Sequence, residues 1–437
     1  MHLCSPGGWI NDPNGFIYYK GLYHLFYQYF PYDVKWGTMR WGHAVSTNLT
    51  DWKHIGVAVF PTKYEDSDGC FSGCAVEDKD GNMNLFYTGV HYTKRNRDNI
   101  HEYPKTGVEA VQMKITSDDG IRFDNFTDKS IAVPKISADE PGDRSDTRDP
   151  LVFKGKNAWY MLLGSTYKHK TGQLLIYESM DLKHFALKSY IKDTKKHLGW
   201  MWECPDYFTL NGKKDGVLIV SAIGMSDGSC GNLQQTVCMQ ARFDENNGCM
   251  KYDDSYQFID YGMDLYATQT AADECGRRTL IAWMRMPAAV DGRWIGMFCY
   301  PRIVSIKNEH IYFSLHPEVK NKFSRKINTI AQADGREYMI HIHLADSEYA
   351  DIGGYRIENK NGCIVCDRTG TVTSECGHKI CRTPALNDGN DISVYVSQHL
   401  IETFVNDGEY VISNVVYNVT DTFRTVAAEK PDIFTVK

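Results

Sequence analysis

The 437-residue chain has no apolar run of the roughly 18 residues that a membrane-spanning helix needs. Its opening, MHLCSPGGWINDPNG, has no basic segment leading into an apolar stretch, which is the mark of a secretory leader, so the expected location is cytoplasmic with no membrane partner. Positive charge is also short. Against 55 Asp and Glu stand 48 Lys and Arg, a net charge of -7 that leaves no basic stripe for a polyanion and argues against a nucleic-acid partner. The 13 cysteines are odd in number and scattered, which suits reduced, mostly buried thiols rather than a secreted disulfide framework. The sequons at Asn48, Asn125 and Asn418 are then chance matches. Helical periodicity is nearly absent as well. What remains is a succession of short apolar and aromatic runs broken by Gly, Asn and Asp turns, the pattern of an all-β fold, in a chain long enough for two domains.

The runs repeat. An acidic residue or its neighbour, a strand, a polar turn and a second strand recur as NDPNGFIYYKGLYHLFYQ from Asn11, FSGCAVEDKDGNMNLFYTG from Phe71, RDPLVFKGKNAWYMLLGS from Arg148, ECPDYFTLNGKKDGVLIVSAIG from Glu203 and ATQTAADECGRRTLIAWM from Ala267. A second signature, a Ser followed by Asn or Asp two residues on and then an aromatic, leads from Ser46 to Trp52, Ser117 to Phe123 and Ser179 to Phe185. Units spaced by roughly 50 to 75 residues, each of about four strands, are what a β-propeller requires, and five copies imply five blades. The catalytic unit is expected over 1–315. After a charged linker at 316–326 the pattern changes to alternating strands with tight turns such as Asn406 to Gly408, consistent with a β-sandwich over 327–437.

Radial blades bring the starts of their innermost strands to one channel mouth. Asp12, Asp149 and Glu203 occupy corresponding places in the first, third and fourth copies, so the repeat itself predicts that three distant carboxyl groups meet. Retaining glycoside hydrolysis needs two such groups about 5 to 5.5 Å apart, one ionised to attack the anomeric carbon and one protonated to assist departure. Asp12, held between Asn11 and Pro13, suits the nucleophile. Glu203, beside Trp202, Cys204 and Pro205, is expected in an apolar setting that keeps its proton, which suits the acid/base. Asp149 follows Arg148, whose charge would favour the ionised form, and is assigned to hydrogen bonding the sugar hydroxyls. Each motif alone is ordinary, a turn, a surface pair or a satisfied buried acid; their recurrence at matching positions carries the argument.

These motifs, WINDPNG from Trp9, FYQYFP from Phe26, WGTMRWGHAVS from Trp36, FSGCAV from Phe71, RDP from Arg148, ECPD from Glu203, DLYATQT from Asp264 and FVNDGE from Phe404, resemble glycoside hydrolase family 32, the β-fructosidase or invertase family. The resemblance spans nearly the whole chain. It implies a five-bladed propeller with a C-terminal sandwich, release of terminal β-fructofuranosyl units from sucrose, sucrose 6-phosphate or short fructooligosaccharides, and no cofactor. It gives Asp12 as nucleophile, Glu203 as acid/base and Asp149 as transition-state stabiliser, with Asn11, Gln28, Trp36, Phe71, Ser72, Arg148, Tyr266 and Trp283 binding or enclosing the fructosyl ring. Departures from the family pattern are Cys74 in place of a small polar residue, Leu265 in place of an aromatic, a short N-terminal wall and a charged stretch from Thr93 to Gly107.

Fructosyl transfer would use the same residues and differ only in how water competes for the fructosyl-enzyme. An arabinan-type propeller hydrolase lacks the full WINDPNG motif, and a non-catalytic sugar-binding propeller is expected to have lost one of the three acids. Lys94, Arg95, Arg97 and Arg144 are loop cations that a phosphorylated substrate could use, but they form no specific phosphate pocket in the sequence and solvated surface charge is the better account of them. Cys363, Cys366, Cys376, His378 and Cys381 prompt a zinc site in the sandwich. Residues three apart in a plain strand face opposite sides, however, and no metal is expected. The chain is expected to act as a monomer or homodimer.

Overall fold

The computed structural model describes residues 1–104, 106–195, 197–210, 215–225, 234–372, 377–386 and 390–437. Of the sequence features above, Cys376, the turn at 211–214 and Lys105 within the 93–107 stretch lie outside these residues. Among the described residues the chain is nearly all strand. Five antiparallel sheets follow one another, and their first strands are Gly8–Tyr19, Gly69–Glu77, Arg148–Lys154, Met201–Thr209 and Leu265–Ala272. Each first strand is followed by three more along the sheet.

The five first strands pack against one another in chain order, and the last packs against the first. The short strand Trp294–Ile295, inserted within the fifth sheet's run of sequence, closes this ring by pairing in parallel with Gly8 and Trp9 at the start of the first sheet. Burial follows from the sequence. The second and third strands of most sheets are flanked by neighbours on both faces and read as continuous apolar runs, as in YMLLGS and LLIYES, whereas the outer strand Ala186–Lys192 alternates exposed and half-buried. The repeated Ser-x-Asn/Asp signature forms the turn between third and fourth strands in three sheets. Ser46, Ser117 and Ser179 bond the Asn or Asp two residues on, whose oxygen in turn accepts nearby backbone N–H groups. The residue three positions after each Ser is left-handed: Leu49 at φ 63°, Gly120 at 73° and Leu182 at 59°. Asn125 is buried in these turns, its amide donating to the Ala58 carbonyl, where a glycan has no room.

After the fifth sheet a short helix, Pro317–Lys320, leads into a six-stranded and a five-stranded sheet. The two face each other across one core that includes Ile340, Ile392 and Ile412 from one and Ile352, Ile357 and Ile364 from the other. Asn406, Asp407 and Gly408, with φ of 49°, 55° and 91°, make the tight turn that their side chains favour. The sandwich docks on the fifth sheet through Tyr395, Phe404 and Val411 packed with Leu280 and Phe313. The whole is consistent with a β-propeller followed by a β-sandwich. Cys366 and Cys381 are cross-strand neighbours, and both are buried.

Candidate active site

One irregularity repeats in all five first strands. The pairing register slips between Ile10 and Pro13, Cys70 and Gly73, Arg148 and Leu151, Glu203 and Asp206, and Tyr266 and Thr268. Each slip is a β-bulge, which bends its strand and re-aims the side chains beside it. Asn11 and Asp12, Phe71 and Ser72, and Asp149 with Pro150 are the extra residues of the first three bulges. Glu203 and Tyr266 immediately precede the last two. Asp149, Cys204 and Ala267 take left-handed φ of 62°, 45° and 51°, a strained conformation for residues with a Cβ, here held by the surrounding ring.

The bulges aim their side chains into a single cavity of about 440 Å³. It is lined by Asp12, Asp149 and Glu203 together with Asn11, Gln28, Trp36, Phe71, Ser72, Arg148, Tyr266 and Trp283, so every residue expected to act in catalysis or on the fructosyl ring reaches it. Sequence reasoning missed Trp9, Tyr103, Asp146, Trp200, Ile223 and Gln234. Strand alternation was a usable signal for Trp9, which lies two residues from Asn11 and donates its indole N–H to Asn11 Oδ1 at 2.7 Å. Asp146, Ile223 and Gln234 sit at strand ends or in the loop before one, where no periodicity marks them.

The carboxyl groups differ in their surroundings. Asp12 Oδ2 accepts the Ser72 hydroxyl at 2.6 Å, and the Cys204 thiol, 3.6 Å away, lies equally close to Asp149 Oδ2. Burial raises the Asp12 carboxyl above its ordinary range, the Ser72 bond opposes this, and the charge of Glu203 adds to it. Asp149 also accepts the Cys204 backbone N–H at 2.9 Å. Burial, reinforced by the charge on Glu203, pushes its carboxyl up to about 7.

Two expectations are corrected here. Arg148 does not turn to its neighbour Asp149. The guanidinium instead gives Glu203 Oε1 two hydrogen bonds, at 3.0 and 2.8 Å, and Asp146 a third at 2.8 Å. Desolvation therefore outweighs the Arg148 charge at Asp149, whose shift is upward. Nor is Glu203 in an apolar setting, because Trp202 packs in the core behind the strand while the Tyr266 hydroxyl donates to Glu203 Oε2 at 2.6 Å.

Aromatic rings form the remaining walls. Trp36 meets Phe71 edge-on at 5.7 Å, and Trp9 lies 6.0 Å from Trp283. The buried Trp283 indole N–H has no partner among the described residues. Cys74 accepts the Val152 backbone N–H through its sulfur at 3.1 Å and so ties the second sheet to the third. Asp143, Asp146 and His169 at the rim could bring one ligand atom each within 4.8 Å of the others, but Asp146 is already bound to Arg148 and His169 is exposed.

Comparison with known proteins identifies the family. Residues 2–317 match the glycosyl hydrolases family 32 N-terminal domain. A probable sucrose-6-phosphate hydrolase of Psychromonas ingrahamii is 31% identical over 95% of this chain and 76% of its own length, and a raffinose invertase of Escherichia coli is 30% identical over 97% and 90%. A variant of the Bombyx mori GH32 beta-fructofuranosidase in complex with sucrose is 27% identical, with a TM-score of 0.84 over 100% of this chain and 92% of that one. A chain with this match over most of its length, and with carboxyl groups gathered at one cavity, belongs to the glycosyl hydrolases of family 32 and is a glycosidase.

Proposed function

We propose that the protein is a retaining β-fructofuranosidase that releases the terminal non-reducing fructosyl unit of sucrose, sucrose 6-phosphate or short fructooligosaccharides. The observation that carries this reading is the delivery of Asp12, Asp149 and Glu203 from three different sheets into one cavity. Asp12, oriented by Ser72, attacks the anomeric carbon of the fructosyl ring, forming an ester bond as the glycosidic C–O bond breaks. Glu203, held by Arg148 and Tyr266, must take up a proton before the reaction and gives it to the departing oxygen. It then takes a proton from the water that cleaves the ester, which returns both groups to their starting states. Asp149 pairs with ring hydroxyls as charge develops on the sugar. Asn11, Gln28, Arg148 and the unpartnered Trp283 N–H supply further polar contacts, while Trp36 and Phe71 cover the ring's C–H surface.

The ring of five four-stranded cores supports a five-bladed propeller over 1–315 and a sandwich over 327–437, joined by 316–326; the strand Phe323–Ile327 extends the second unit's edge back into that joining segment. We place the enzyme in the cytoplasm, as a monomer or homodimer with a small carbohydrate as its partner. Of the loop cations considered for phosphate, Arg95 is bound to Asp68 and Arg144 to Glu109.

The test is fructose release from sucrose, sucrose 6-phosphate and a short inulin series by wild type, Asp12→Ala and Glu203→Ala. Release by wild type and losses of several orders of magnitude in both variants are expected. Wild-type rates in the Asp12 variant would sink the assignment.

A further inference from the structure

The segment 93–107 connects the second and third strands of the second sheet and is not needed to hold that sheet together. Its ends are joined by Thr93, whose backbone N–H and hydroxyl both donate to the Gly107 carbonyl, at 2.8 and 3.0 Å. Its course is pinned at two further points. The Arg95 guanidinium grips buried Asp68 with two bonds of 2.8 Å, and the His101 ring meets the Thr38 hydroxyl at 2.8 Å while lying 5.0 Å from Phe30. A polar surface loop gains little from such anchoring unless something it carries must be positioned.

What it carries is Tyr103. The ring lies 6.0 Å from Trp36, 6.2 Å from Phe71 and 5.8 Å from Tyr92, and it is 39 % exposed where Trp36 and Phe71 are half-buried, so it continues the aromatic wall toward solvent. It shares the cavity lining with Arg148, Asp146 and Glu203. Position along the cavity assigns its partner. With the anomeric carbon at Asp12 and the departing oxygen at Glu203, the fructosyl ring fills the buried end of the cavity, and an exposed ring at its mouth flanks the group that leaves.

We propose that Tyr103 is a specificity-determining residue that selects a sugar ring as leaving group, by laying its aromatic face against that ring. The proposal rests on the fructosidase reading above. Bound there, the leaving sugar is held with its glycosidic oxygen against Glu203 before bond cleavage, and its departure frees Tyr103 for solvent while the fructosyl ester waits on Asp12. A leaving group with no ring gains nothing from the contact.

Rates on sucrose and on methyl β-D-fructofuranoside, whose leaving group is a single carbon, separate the two sides of the site. Tyr103→Ala is expected to lower kcat/KM for sucrose by about tenfold, the scale of one lost aromatic contact, and to change that for the methyl glycoside by less than twofold. Tyr103→Phe, which keeps the ring face, should restore sucrose kcat/KM to within about threefold of wild type. Equal losses on both glycosides, or unchanged sucrose kinetics in the alanine variant, would overturn the assignment and leave the fructosidase reading standing. A wild-type enzyme silent on both glycosides would overturn that reading and this proposal with it.

Discussion

The Tyr266 hydroxyl donates a 2.6 Å hydrogen bond to Glu203 Oε2 and at 3.2 Å reaches the Ser221 carbonyl, while the Arg285 guanidinium lies 5.1 Å from its ring centre. Glu203 is therefore oriented from both sides, by Tyr266 on one oxygen and Arg148 on the other. Removing the hydroxyl leaves the carboxyl present but free to rotate away from the departing oxygen. For Tyr266→Phe we expect kcat on sucrose to fall by about 10- to 100-fold with KM changed little, because the lost contact acts on proton transfer more than on the ground-state sugar. Steady-state kinetics across the pH range would check this. A rise in KM with kcat intact would mean that Tyr266 binds sugar directly.

Asp149 illustrates the cost of the site. Its carboxyl is pushed up from an ordinary 3.8 to about 7 by burial first and then by the charge on Glu203, so the folded protein holds that proton more tightly than the unfolded chain. The sign follows. Below pH 3.8 both states are protonated and Asp149 costs nothing; as pH rises toward 7 the unfolded chain releases its proton, the folded one does not, and stability declines. Asp149→Asn keeps an acceptor for the Cys204 N–H and removes the ionisation. The variant should be inactive yet melt a few degrees higher at pH 8, with a smaller gain at pH 5, as a thermal scan at both values would reveal.

Much of this arrangement was legible in the chain. The repeat of an acidic or polar start followed by paired strands marked all five first strands, and the joint presence of WINDPNG, RDP and EC marked three carboxyl groups at matching positions. Residues of the lining outside the repeat were not legible, because Tyr103, Asp146 and Trp200 arrive from loops whose paths depend on tertiary contacts such as Arg95 with Asp68. Sequence neighbours also misled. Arg148 stands next to Asp149 in the chain, but its guanidinium bonds Glu203, 55 residues further on, and burial decides the direction of the shift at Asp149. The electrostatics of a bulge follow from backbone geometry that adjacency in sequence does not carry.

A buried histidine pair in the first sheet sets an acid limit on the fold. His24 Nδ1 lies 3.0 Å from His43 Nε2, a contact that accommodates one proton, and the His43 ring stacks on Phe26 at 3.8 Å. Burial lowers His24 from 6.5 to about 4 and His43 well below its ordinary value. Between pH 6.5 and 4 the unfolded chain takes up these protons and the folded one resists, so the pair's contribution to stability falls as pH drops through that window, opposite in sign to that of Asp149. For His24 alone the loss is on the order of 3 kcal/mol at pH 4. Chemical denaturation at pH 7, 5.5 and 4.5 of wild type beside a His24→Asn, His43→Gln variant isolates this contribution, since Asp149 is common to both: the variant should gain on wild type as pH falls. An equal slope in the variant would move the effect to other groups.

The sandwich is fastened to the ring of sheets by a charge cluster with no exposed member. Arg302, on the fifth sheet, places its guanidinium nitrogens 2.8 Å from both Asp260 Oδ2 and Glu402 Oε2 and donates to the Ser413 hydroxyl at 2.7 Å. Glu402 also accepts the Tyr300 backbone N–H, and Asp260 accepts that of Ser413, so the two carboxylates are fixed from both units. Such a cluster need not add net stability over an apolar core, but removing its cation leaves two carboxylates buried together without compensation. Arg302→Met should therefore cost about 3 to 5 kcal/mol, whereas Glu402→Gln, which retains an acceptor and leaves Arg302 paired with Asp260, should cost clearly less. Urea unfolding of the two variants measures the difference. If they lose the same stability, the cluster acts through shape rather than charge, and the cavity left by the arginine becomes the explanation to pursue.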